Sequence, residues 1–270
     1  MRHEIGFVGA GAMAEAMIAG IVNQGLLAPE QIAASHPRAR RREELAARYH
    51  IEVTGSNLEA ATTSRIVAVT VKPQVTPHVL HELRGHLRPE QLLLSIVAGM
   101  TIASIAAAVE HYSIARAMPN TPSQIGAGMT VWTATHQVDE TQRAQVRRLL
   151  GSLGQELWVE DEQYVAMATA LSGTGPTYVL LVMEALIDAG VHMGFPRRIA
   201  EQIVLQTVAG SVAFARASGK HMAELRNMVT SPGGTSAEAI YQMEKGGLRT
   251  VLSRAVYAAY QRTQTLGREE

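Results

Sequence analysis

The chain has 270 residues, with 24 basic and 24 acidic side chains and no cysteine. A formal net charge of zero offers no basic field for nucleic acid or anionic lipid. At 47% hydrophobic and 18% charged it is no disordered chain; without cysteine it lacks disulfides, thiolate nucleophiles and cysteine-held metals, which suits a cytoplasmic setting.

Ile5–Gly9 reads as a buried strand and Ala12–Gly25 as a helix closed by glycine. Strands over Ile32–Ser35, Ile51–Val53, Ile66–Val71, Leu92–Val97 and Ile114–Met118 follow, with a charged helix over Arg38–Tyr49 and further helices between most of them. Gly128–Ala134 and Glu156–Val159 are later strands around a helix over Asp139–Leu153. This alternation predicts βαβ units on a mainly parallel sheet. Beyond about residue 160 only helical patterns remain: Glu162–Leu171, Thr177–Met193, Arg197–Ser218, Met222–Val229, Ser236–Lys245 and Arg249–Thr265. Tyr178–Gly194 and Ile199–Ala217 are apolar around much of their circumference, so a second subunit is expected to cover them. The uncharged run Gln163–Met183 is expected not to span a membrane, because Gly173, Gly175 and Pro176 should break a helix near its middle.

Gly9, Ala10, Gly11, Ala12, Met13 and Ala14 form a G-x-G-x-x-A run directly after the first strand and at the start of a helix. Gly9 permits the tight turn, Gly11 lets backbone approach a pyrophosphate, and Ala14 allows close helix–strand packing. Free N–H groups at the helix start then hold the phosphates. The fold class is therefore α/β: an N-terminal Rossmann-type dinucleotide-binding domain, residues 1–160, followed by an all-α dimerisation domain, residues 161–270. An enzyme using NAD would carry an acid at the end of the second strand. This chain has Ser35-His36-Pro37-Arg38, then Arg40, Arg41 and Arg42, which suits the 2′-phosphate of NADP(H), with NAD(H) as the weaker alternative. Val71-Lys72-Pro73-Gln74 and Met118-Pro119-Asn120 lie where strands should end, the edge at which such sheets bind ligands.

His81 and His86 sit five apart around Gly85, off a common helix face, so no zinc motif and no metal is expected. No G-x-S-x-G elbow exists. In Thr230-Ser231-Pro232-Gly233-Gly234-Thr235-Ser236-Ala237-Glu238, Thr235 and Glu238 have the spacing of a capping box, predicting a helix from about Ser236. The Ser-Pro-Gly-Gly approach also suits a pocket for a small carboxylate.

These segments, with Arg116–Pro122 and Ala170–Pro176, run over essentially the whole chain, and together they resemble the pyrroline-5-carboxylate reductase family. The resemblance implies NADPH-dependent reduction of (S)-1-pyrroline-5-carboxylate to L-proline, with hydride transfer to the imine carbon. It implies an interlocked homodimer, which many family members build into decamers. It assigns Gly9 to Ala14, Ser35 and Pro37 to the pyrophosphate and adenine-ribose end, which Arg38 joins by its charge, Asn57 to the ribose, and Val71, Lys72 and Ala98 to the nicotinamide half, where the strand-end loops also bring Pro73, Pro119 and Asn120. It implies Glu162 near the substrate, and Thr235 and Ser236 as the catalytic pair that binds its carboxylate and ring nitrogen; the turn with Ser231, Gly233 and Gly234 is the carboxylate pocket read above. Ser236, Thr174, Thr177 and Ala166 depart from the usual family residues. Two other readings are a reductase of another small cyclic imine or carbonyl acid, and a non-catalytic NADPH-binding regulator. Neither Lys220 nor Lys245 fits the pattern of a β-hydroxyacid dehydrogenase.

Overall fold

The computed structural model describes residues 1–266. In chain order the first part runs β1 (His3–Val8), α1 (Ala12–Asn23), β2 (Ile32–Ser35), α2 (Ala39–Tyr49), β3 (Glu52–Thr54) and α3 (Asn57–Thr62). It continues through β4 (Ser64–Val69), α4 (Thr76–Leu83), β5 (Leu92–Ser95), α5 (Ile102–Val109), β6 (Ile114–Met118), β7 (Gly128–Ala134), α6 (Glu140–Gly151) and β8 (Gly154–Trp158). The eight strands form one sheet in the order β3-β2-β1-β4-β5-β6-β7-β8. The order reverses between β1 and β4, which opens a crevice at the carboxyl ends of those strands.

All pairings are parallel except β6 with β7. The link between these two holds only a 3-10 turn, Thr121–Ile125, which is too short for the crossover that parallel strands require. Register places Val8, Val69, Ser95 and Arg116 on one row across β1, β4, β5 and β6. One sheet face buries Phe7, Leu94, Ala117 and Trp132 against Met17 and Ile18 of α1, Leu45 of α2 and Leu150 of α6. The other buries Val67, Val69 and Leu93 against Ala61 of α3, Leu80 and Leu83 of α4, and Ile105 of α5. Strands covered on both faces read as continuous apolar runs, which is why they were visible in the sequence.

The helical part comprises α7 (Glu162–Ala168), α8 (Gly175–His192), α9 (Arg197–Ser218), α10 (Met222–Met228), α11 (Thr235–Lys245) and α12 (Leu248–Thr265). By packing, Met1–Thr174 and residues 258–266 form one compact unit and Gly175–Tyr257 a second. The break expected at Gly173, Gly175 and Pro176 does not occur. A π-helical turn, Thr169–Gly173, joins α7 to α8, with Thr174 N–H donating to Thr169 O at 2.9 Å. Pro176 stands in the first turn of α8, where a missing N–H is tolerated. The Ser172 carbonyl, four residues earlier, is met instead by Asn120 Nδ2 at 3.3 Å. Glu162–His192 is thus one helical run of 31 residues, long and apolar enough to cross a membrane, with 17% of its most apolar window buried. Leu181 and Met193 are 64% and 75% exposed in the single chain, and Leu180, Leu205 and Phe214 are exposed with them.

Candidate nucleotide and substrate sites

The chain leaves β1 through Gly9, whose φ of +93° disfavours any side chain; a Cβ there would lie 2.3 Å from Val71 Cγ1. Three hydrogen bonds pin this turn: Gly9 N–H to Ser35 Oγ (3.2 Å), Ala10 N–H to Ser35 O (2.8 Å), and Thr70 Oγ1 to Gly9 O (2.9 Å). Ala10 and Ala14 are fully buried. Gly11 caps α1 without a side-chain bond, and a Cβ on it would meet no atom within 4 Å. Ala12 is exposed and Met13 half-buried at the helix start. An open backbone cradle at a helix N-terminus fits a pyrophosphate, both through its N–H groups and through the helix dipole.

An acid in the first turn of α1 would repel a phosphate, and Glu15 is there. Its charge is countered by Arg41 Nη2 at 2.5 Å and Arg48 Nη1 at 3.0 Å, and Tyr49 OH donates to it at 3.1 Å. Burial pushes the Glu15 carboxyl up, but Arg41, Tyr49 and Arg48 outweigh it and hold the pKa below the usual carboxylate range.

At the end of β2 the structure sorts the residues differently from the sequence. Ser35 is fully buried, and its hydroxyl donates to Asn57 Oδ1 at 2.7 Å. Ser35 therefore organises the Gly9 turn and Asn57 from behind and offers no hydroxyl to a phosphate. Arg40 pairs with Glu44, Arg41 with Glu15, and Arg42 donates to the His36 and Pro37 carbonyls. Arg38 alone of these is exposed with no side-chain partner among the described residues; Pro37 is exposed and His36 half-buried beside it. Burial and then the charge of Arg38 push the His36 pKa down. Asn57 opens α3, and its Nδ2 donates to Glu82 Oε2 at 2.8 Å. A carboxylate only accepts, so Glu82 fixes which end of the amide faces Ser35.

β4 ends two residues earlier than expected, at Val69, leaving Val71 half-buried against Gly9 and Lys72 exposed at the cap of the Pro73–Val75 turn. The Lys72 ammonium has no ion-pair partner among the described residues. Ala98 follows β5 on the same edge. Pro119 is buried, and Asn120 is committed to structure: its Oδ1 accepts the Met129 N–H at 2.9 Å while its Nδ2 serves Ser172.

Glu162 opens α7 in the sheet unit. Its Oε1 accepts from Arg116 Nη1 at 2.5 Å and from the Ile102 N–H at 2.7 Å. Glu162 and Arg116 line a groove of about 560 Å³ with Gly99, Thr101, Tyr260 and Thr263.

In the helical unit, Ser231 O accepts the Gly234 N–H at 3.1 Å, closing a turn around Pro232 and Gly233, whose φ is +70°. A Cβ on Gly234 would lie 2.4 Å from Ser231 Oγ. The capping box does not form. The N-cap is Gly234, α11 begins at Thr235, and Glu238 accepts from Gln242 instead. The turn delivers the chain in helical geometry one residue early, so Thr235 lies inside the helix with its hydroxyl free of capping. The Thr235 and Ser236 N–H groups meet no acceptor among the described residues, which fits a carboxylate.

The chain is similar to known proteins over its whole length. A family model described as pyrroline-5-carboxylate reductase dimerisation matches residues 162–266, and one described as NADP oxidoreductase, coenzyme F420-dependent, matches residues 4–99. The pyrroline-5-carboxylate reductase of Synechocystis sp. is 40% identical over 270 residues, covering 100% of both chains. The chain belongs to the pyrroline-5-carboxylate reductase family. The crystal structure of Plasmodium falciparum pyrroline carboxylate reductase with NADP bound is similar at 32% identity and a TM-score of 0.89, covering 98% of both chains. A reductase structure from Coxiella burnetii is 33% identical with a TM-score of 0.89, covering 98% of this chain and 99% of that one. This member is accordingly an oxidoreductase that uses NADP(H) to reduce pyrroline-5-carboxylate to proline.

Two residues of this reductase family member escaped nomination from sequence, Glu82 and Arg116. Glu82 looks like any charge on an exposed helix. Arg116 carried a usable signal: a lone charge in the apolar strand IARAM must be paired if the strand is buried.

Proposed function

We propose that residues 1–160 hold the dinucleotide and residues 161–270 bind the substrate and dimerise, in the cytoplasm, with the reaction running from (S)-1-pyrroline-5-carboxylate to L-proline. When bound, the nicotinamide supplies the hydride that reduces the imine carbon. The chain's own groups need only bind, orient and exclude competing geometry. Gly9, Ala10, Gly11, Ala12, Met13 and Ala14 would cradle the pyrophosphate. Pro37 and Arg38 would take the adenine-ribose end and its 2′-phosphate, and Asn57 the ribose. Val71, Lys72, Pro73, Ala98 and Pro119 would border the nicotinamide half; Ser35 and Asn120 support these loops from within.

On the substrate side, Ser231, Gly233 and Gly234 shape the turn, and Thr235 and Ser236 would receive the carboxylate and ring nitrogen. The observation that carries this reading is the helix start at Thr235 and Ser236, with unpaired N–H groups behind a Gly-Gly turn. A homodimer is supported by the exposed Leu181, Leu205 and Phe214 on α8 and α9 and by the match of the dimerisation model there. It also accounts for the apolar run Glu162–His192 without a membrane.

The test is oxidation of NADPH and of NADH with pyrroline-5-carboxylate, other cyclic imines and 2-keto acids, alongside light scattering. Preference for NADPH and pyrroline-5-carboxylate by a dimer or larger oligomer is expected. Equal efficiency with NADH would refute the role of Arg38, better turnover of a 2-keto acid would refute the substrate, and a stable folded monomer at micromolar concentration would refute the interface.

A further inference from the structure

Arg116 has no role in the reading above, yet it is one of the most deeply buried charges in the sheet unit, its side chain 4% exposed. It lies on the row of Val8, Val69 and Ser95, the last residues of β1, β4 and β5 before their ligand-edge loops. Its side chain shares the sheet face covered by α5 and α7, and reaches Glu162 of α7. The same Glu162 oxygen accepts the Ile102 N–H, a helix-start donor of α5 that has no partner within the helix.

The pair therefore holds the far end of the Ile96–Thr101 segment, through the Ile102 N–H. The near end is fixed by the sheet itself: Ser95 pairs in register with Arg116, and the Ile96 N–H donates to Val69 O at 3.2 Å. At the far end, Glu162 holds Ile102, next to Thr101, which forms a capping box with Ser104. Between these two fixed points lie Ala98 and Gly99, the latter at φ +81°. A buried guanidinium left without its carboxylate is strongly unfavourable, so Glu162 cannot swing away from Ile102 without stranding Arg116.

We infer that Arg116 is a positioning residue for hydride transfer: acting through Glu162, it fixes the Ile96–Thr101 loop beside the nicotinamide. This rests on the proposed placement of the nicotinamide at Ala98. It also gives Glu162 a different task from the substrate contact that the family resemblance implies. Glu162 touches Ile102 and Arg116, and its effect on the reaction passes through the loop.

The experiment uses the full chain saturated with NADPH and compares Glu162→Ala with Glu162→Gln. Glu162→Ala should raise amide hydrogen exchange across residues 97–102. It should lower kcat by roughly ten- to a hundredfold, the usual effect of misplacing a reacting group by about 1 Å, with less than about a threefold change in KM for pyrroline-5-carboxylate. Glu162→Gln should recover the larger part of that loss, because the amide Oε1 still accepts from both donors. Arg116→Met should release the same loop; if that variant fails to fold, the Glu162 pair decides alone. Exchange unchanged in Glu162→Ala would overturn the inference. So would a rise in KM at constant kcat that Gln does not rescue, since Glu162 would then touch the substrate. A wild-type chain inactive on pyrroline-5-carboxylate would instead refute the functional reading, and the exchange measurement would still decide whether the grip exists.

Discussion

Replacing Gly9 by alanine attacks the nucleotide turn in two separable ways. The backbone at φ +93° must hold a side chain, a strain of about 1–3 kcal/mol. The added Cβ, 2.3 Å from Val71 Cγ1, must also push a stiff β-branched side chain aside. Overpacking of that kind costs about 1–3 kcal/mol. Together these remove roughly 2–6 kcal/mol from a domain whose whole stability is of order 5–15 kcal/mol. At about 2–4 °C per kcal/mol, Tm should fall by some 4–24 °C. Adding Val71→Ala deletes Cγ1 and should return about half of the loss, leaving the backbone strain. Urea unfolding at fixed protein concentration and fluorescence titration with NADPH measure both consequences. A Gly9→Ala chain that unfolds at the wild-type urea concentration would refute the strain argument, and complete rescue by Val71→Ala would show that the clash alone mattered.

Glu82→Ala should free the Asn57 amide to flip and weaken NADPH binding by about five- to tenfold, the worth of a hydrogen bond of about 1 kcal/mol or slightly more; Glu82→Gln, still an acceptor, should largely restore the Kd from titration. Ser236→Ala should lower kcat/KM for pyrroline-5-carboxylate by roughly ten- to a hundredfold, since a hydrogen bond to a charged group is worth about 1.5–3 kcal/mol. Because Gly234, and not Ser236, caps α11, helix stability and NADPH affinity should barely move. The folded-state pKa of Glu15 lies below its unfolded value, so its pairing stabilises fully above about pH 4.5 and is lost as pH falls through the folded pKa. Glu15→Gln should therefore be less stable than wild type at pH 7, and urea midpoints of the two should converge in acid.

Much of the fold was legible because buried strands announce themselves. Ile32–Ser35 and Ile114–Met118 are apolar runs ended by polar or turn residues, and their bounds agree with the structure. Direction is not written in a strand's own residues; β7 runs against β6 because the link before it is short. The site was legible where glycine spacing encodes geometry, at Gly9 to Ala14 and Gly233–Gly234. It was illegible where a polar side chain turns inward. A serine at a strand end looks the same whether it meets a phosphate or, like Ser35, a neighbouring loop. Thr235 misled because the Ser231–Gly234 turn supplies the helix cap by backbone shape, which no side-chain pattern records.

The shared row of Val8, Val69, Ser95 and Arg116 makes spacing matter more than identity in the link before β6. Tyr112 in that link is exposed and free to vary, while His111 is anchored to Gln91 O at 2.7 Å. Sliding β6 by one residue would turn every side chain to the opposite face of the sheet. Arg116 would then be thrust among Phe7, Leu94 and Trp132, away from Glu162, and the apolar Ala115 or Ala117 would take its place. The segment Glu110–Ser113 should therefore accept many substitutions at Tyr112 yet reject a single insertion or deletion.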